Sequence, residues 1–146
     1  MLPFDLNKSL QDLEGQKWPE TTVDSPLFQE CHRLHEVPLR DFTIANLSTT
    51  IGQNIGLEYL VPLAIEMLRE NPLAEGNCYP GDLLANVLIA SPEFWRDHPD
   101  LHKQLIPITE RALATASADE DICKEVVVES VNTAFKKFKR KSRTHA

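Results

Sequence analysis

The chain has 146 residues, 42% apolar and 25% charged, an ordinary balance for a soluble globular protein with one buried core. Its formal charge is −7, yet six of the fifteen Lys and Arg fall between Lys136 and Arg143. Residues 1–135 hold nine basic and twenty-two acidic side chains, a balance of −13 that repels nucleic acid and suits a basic protein partner.

Residues 1–25 read as an arm carrying one short helix. Asn7 or Ser9 can cap Leu10 to Glu14, and Gly15 stops it. Trp18-Pro19 follows, and the Trp18 ring is expected to anchor the arm by burial. Ser25-Pro26 is an N-cap followed by proline at the first helical position. It predicts a helix from Pro26 to Glu36 that turns Leu27, Cys31 and Leu34 to the core, with Pro38 ending it. Asp41 or Thr43 can cap the next helix, Ile44 to Gln53, with Ile44, Leu47 and Ile51 as its stripe.

Ile51 to Leu84 has the highest apolar density and is expected to form the centre of the packing. Leu57, Leu60, Val61, Ala64, Ile65 and Leu68 recur at helical spacing. Pro62 predicts a late start near Leu60, or else a kink costing roughly 3 kcal/mol. Asn71-Pro72 closes the helix. The loop PLAEGNCYPGD follows, and a new helix begins near Pro80 or Asp82 and runs to about Ala90 through Leu83, Leu84, Val87 and Leu88.

Ser91-Pro92-Glu93 opens a short turn with Phe94 and Trp95, broken by His98-Pro99. Leu101, Leu105, Ile108, Ala112, Leu113 and Ala116 mark a longer helix, with Pro107 as a kink or an early-turn residue. Ser117 to Asp121 reads as a turn, with Asp119, Glu120 and Asp121 at the positive end of the next helix dipole. Ile122, Val126, Val127, Val131, Ala134, Phe135 and Phe138 form the last stripe, extended to about Lys141. An α/β alternative would need Val126–Val128 and the Thr49–Ile51 region to be strands, but period-2 alternation is missing there. The expected fold is therefore all-α: one domain over residues 1–146, six to eight helices packed irregularly, with a basic end at 136–146.

No signal peptide is expected, and no segment approaches roughly 18 consecutive apolar residues. Three widely spaced cysteines, Cys31, Cys78 and Cys123, argue against a disulfide framework and for a reducing cytoplasm. Cys31-His32 with His35, and His98 with His102, fall short of a four-ligand zinc set, so no metal is expected. No cysteine stands in a nucleophile context, and no Gly-rich phosphate loop occurs, so neither catalysis nor a cofactor is expected. The Lys136–Arg143 run reads as a solvated helix end, its Phe135 and Phe138 as core.

Three segments, LNKSLQDLEGQKWPE, ECHRLHEVPLRDFT and IGQNIGLEYLVPLAIEMLRENPLAEGNCYPGDLL, resemble the family of contact-dependent growth inhibition (CDI) immunity proteins. The resemblance runs from about Leu6 to about Trp95. It implies a protein without activity of its own that neutralises the C-terminal toxin domain delivered by a neighbouring cell, often a nuclease. A cognate basic toxin domain is then the expected partner, with neither membrane nor nucleic acid bound directly. The acidic balance and the resemblance together nominate Glu75 and Asp82 in the central loop, and Asp119, Glu120 and Asp121 before the last helix, as exposed contacts. Tyr79 is nominated as their aromatic anchor. The competing readings are a generic helical adaptor domain and a small enzyme.

Overall fold

The computed structural model describes residues 2–19, 25–76, 79–118 and 124–143. Among them the chain is all-α. Its helices are α1 Leu10–Glu14, α2 Pro26–Leu34, α3 Ile44–Gly52, α4 Leu57–Glu70, α5 Asp82–Leu88, α6 Pro92–Asp97, α7 Pro99–Ala118 and α8 Lys124–Arg143. A 3-10 turn at Leu39–Asp41 precedes α3. Both segments considered as strands are helical, Thr49–Ile51 in α3 and Val126–Val128 in α8.

The helix starts follow the cap chemistry. Ser9 and Thr43 each form a reciprocal capping box, with Asp12 and Asn46, and Ser25 accepts the Phe28 N–H. Asp41 ends the 3-10 turn and does not cap α3. Helix ends fall short of expectation by a residue or two: α2 stops at Leu34, α3 at Gly52 and α5 at Leu88. Asn54 adopts a left-handed backbone (φ 59°) in the turn after α3, and its Oδ1 accepts the Ser91 N–H at 2.9 Å. One side chain thus ties the α3–α4 turn to the α5–α6 turn.

Pro62 sits well inside α4, at its sixth position, so the late start is overturned. The missing N–H leaves the Glu58 carbonyl without its helical partner. Burial outweighs that cost of roughly 3 kcal/mol, because each fully buried Leu or Ile contributes about 1.5–3 kcal/mol. Leu60, Ile65 and Leu68 of α4 are all buried. Pro107 is the ninth residue of α7, so it is not an early-turn residue either.

The centre of the packing lies elsewhere than expected. Helix α5 is buried almost all round, six of its seven residues lying inside, and it packs most extensively against α3 and α8. Such a helix has no polar face to signal its burial. Helix α8 closes the core with Val127, Val131, Ala134, Phe135 and Phe138 and packs equally on α7. His102 donates from Nε2 to the Phe138 carbonyl (3.0 Å), its ring stacked on Phe138 at 3.8 Å. Helix α4 lies to one side, against α3, α5 and α7.

The N-terminal arm is docked through its backbone. The Leu39 and Arg40 N–H groups donate to Lys8 and Leu6 carbonyls, and the Gln11 N–H donates to the His35 carbonyl. Leu10 is fully buried against Gly56. A Cβ at Gly56 would lie 2.7 Å from the Leu10 side chain, and the residue also holds φ +61°, so glycine is required there twice over. Trp18 is only half-buried: its ring stacks on His35 at 4.0 Å.

Candidate functional site

The described residues of the central loop, 71–76 and 79–81, are held in shape by hydrogen bonds of their own and of the helix that follows. Glu75 and Pro80 form an isolated antiparallel bridge. The Gly81 N–H donates to the Leu73 carbonyl. Gly76 lies against α3 so closely that a Cβ would meet Ser48 Cβ at 2.9 Å. Asp82 completes the loop: its Oδ1 accepts the Gly76 N–H at 2.6 Å.

This geometry corrects one expectation. Asp82 is 4% exposed and is therefore no surface contact. A carboxylate at the first position of a helix ordinarily faces water, but here the loop folds back over it. Its role is to fix the loop that presents Glu75 and Tyr79. Removing the carboxylate takes the acceptor from the half-buried Gly76 N–H. We expect Asp82→Ala to lower stability by about 1–3 kcal/mol in urea denaturation. Unchanged stability would show that the loop does not depend on this bond.

Glu75 is exposed, as expected, and Tyr79 is half-buried. The structure brings these two together at the loop. Asp119, Glu120 and Asp121 lie outside the described residues, as do Cys78, Cys123 and Ile122.

Tyr79 overlooks two hollows. One, of about 280 Å³, is bordered by Leu27, Thr49, Gly52, Gln53 and Asn86. The other, of about 360 Å³, lies between α5 and α8, bordered by Asn86, Ile89, Glu129, Thr133 and Lys137. Asn86 separates them and clamps α5 to α3, its Nδ2 donating to Ser48 Oγ (2.6 Å) and to the Ser48 carbonyl (3.2 Å). A third hollow, of about 330 Å³, adjoins the first through Leu27 and Gln53 and is bordered by Trp18, Phe28, Cys31 and Ile55. The three form one continuous face across α2, α3, α5 and α8.

Leu27 is 45% exposed on this face, although spacing with Cys31 and Leu34 predicts that it is buried. Phe28 (45%) and Ile89 (48%) stand out similarly. Among the described residues these are the large apolar side chains left open to water. Sequence reasoning missed Phe28 and Ile89 as surface features. The available signal was Phe28 lying off the Leu27–Cys31–Leu34 stripe.

Among the described residues the thiol on this face is that of Cys31. Burial, and secondarily the nearby Glu30 charge, push the Cys31 thiol above its ordinary pKa, away from the reactive thiolate. Glu30 itself is held below the usual carboxylate range by its hydrogen bond to Arg33. His35 is buried beside α1, its Nε2 donating to Glu14 Oε1 at 2.7 Å, so it serves the arm. His32 Nε2 donates to the Pro19 carbonyl. Among the described residues no cluster of three or more His, Cys, Asp or Glu is arranged to hold a metal ion. No helix among them is long and apolar enough to cross a membrane.

Residues 12–105, more than half of the chain, match the sequence model of the CDI immunity protein family. No curated protein matches the chain. The matched region contains α2, α3 and α5 of the open face and all of the central loop, but not α8.

Proposed function

The chain belongs to the CDI immunity protein family, and from that premise we propose that it protects the cell that makes it by binding a cognate toxin domain. Neutralisation is by occlusion, with no chemistry of its own. The observation that carries this reading is the match of residues 12–105 to the family model. The partner is a basic protein domain, and a nuclease fits best. A domain built to grip nucleic acid carries positive charge, which complements the −13 balance over residues 1–135. The same charge balance argues against direct contact with nucleic acid. Action in the cytoplasm accords with the unpaired, buried Cys31.

Glu75 and Tyr79 are the described members of the proposed toxin contact. Asp119, Glu120 and Asp121 remain proposed beside them on charge alone. The test is co-expression with the toxin domain encoded beside the chain's own gene, followed by affinity capture of the tagged chain. Survival of the cells and recovery of both proteins together are expected. Cell death, with the tagged chain recovered alone, would refute the reading.

A further inference from the structure

Resting on the proposed toxin binding, we infer that Leu27, Phe28 and Ile89 are the apolar anchors of the toxin interface. They supply its lifetime, while the acidic side chains supply its rate of formation. Monomeric proteins seldom leave large apolar side chains grouped around adjoining hollows without an interaction to serve. Here Leu27 and Phe28 project from α2 and Ile89 from the end of α5, each beside one of the three connected hollows. Asn86 ties α5 to α3 and Asp82 ties Gly76 to the start of α5, which fixes the helices between the anchors relative to one another.

Two occupants compete: a second copy of this chain and the toxin domain. The family match decides between them. Leu27, Phe28 and Ile89 all lie within residues 12–105, the part of the chain that matches a family whose partner is a toxin domain. The exposed charges bordering the hollows are Glu129 and Lys137, with exposed Glu75 near Tyr79. A toxin domain with a complementary apolar patch meets the three side chains and finds Glu75 and Glu129 beside them. The division of labour follows, because truncating buried apolar anchors acts mainly on dissociation, whereas rim charges act on association.

The experiment measures binding of the purified toxin domain encoded beside this gene to wild type and to a Leu27→Ser, Phe28→Ser, Ile89→Ser triple variant. Surface-captured kinetics are read at low and at physiological salt. Phe28→Ser and Ile89→Ser are also made singly, on separate helices, so that a folding defect in the triple variant leaves two informative proteins. Glu110→Ser on α7, which borders none of the hollows, is the control. The triple variant is expected to fold, to dissociate at least about 30-fold faster, and to associate within about threefold of wild type. Each single variant should show part of that loss, and the control none. Wild-type binding with unchanged dissociation in the folded variants would overturn the inference and leave toxin binding standing. No binding by wild type would remove toxin binding, and this inference with it. Sedimentation of the chain alone is expected to give a monomer of 16.5 kDa. A dimer dissolved by the same substitutions would assign the face to a second copy and overturn the inference.

Discussion

Leu60→Ala is expected to lower the unfolding free energy by about 2–5 kcal/mol, with the slope of the denaturation curve unchanged. Leu60 is fully buried in α4, one residue after Tyr59 and two before Pro62. The first turns of α4 have little to spare. Their N-cap is Gly56, which offers no side-chain hydrogen bond, and Pro62 removes one of the backbone bonds that would hold them. Packing must therefore keep this end of the helix formed. Truncation removes both the transfer energy of the lost methyl groups and the contacts around the cavity they leave. The arm is coupled to the same end, because the Tyr59 hydroxyl donates to the Leu13 carbonyl and its ring meets Phe4 edge-on at 5.4 Å. A loss below about 1 kcal/mol in chemical denaturation would mean that this stripe contributes little to the core.

Reversal of the proposed acidic contacts is the second large effect. Glu75→Lys combined with Glu129→Lys forms one set, and lysine at Asp119, Glu120 and Asp121 forms the other. Glu75 and Glu129 are exposed, so folding should be nearly unaffected in the first set. Asp82 belongs in neither, since a lysine there would break the bond to Gly76 and confound binding with folding. At least one set is expected to slow association with the toxin domain by about 10- to 10³-fold at low salt, and to flatten the salt dependence. Cells making the toxin should lose protection in parallel. If both sets bind with unchanged association rates, and wild type shows no salt dependence, steering by acidic side chains is wrong. Shape and the apolar anchors would then carry recognition alone.

The helix starts were legible because their chemistry is local. Ser9, Ser25 and Thr43 sit within three residues of the N–H groups they satisfy, so a window of four residues contains the whole argument. Gly15 likewise marks the end of α1 through its own backbone preference. What failed was tertiary. Leu27 has the right spacing to share a face with Cys31 and Leu34, yet the start of α2 leaves it exposed. Asp82 looked like a solvated helix start because its partner, Gly76, depends on how an eleven-residue loop folds back.

The central position of α5 was obscured for a related reason. Periodicity finds helices with one wet face, and α5 has almost none. Of the candidate site, the loop was readable from its proline, glycine and asparagine, while the grouping of Leu27, Phe28 and Ile89 was not. Nothing in the order of residues says that the start of α2 and the end of α5 border adjoining hollows. That follows only once α3 has been packed between them.

The decisive measurement is the mass of the toxin domain before and after neutralisation. The chain and the toxin are mixed in equal amounts, examined intact by native mass spectrometry, then dissociated in denaturant and weighed separately. Occlusion predicts a complex of one chain with one toxin domain, and a released toxin whose covalent mass is unchanged. Protection without a complex, or a toxin recovered cleaved or chemically modified, would contradict it and make the chain an enzyme.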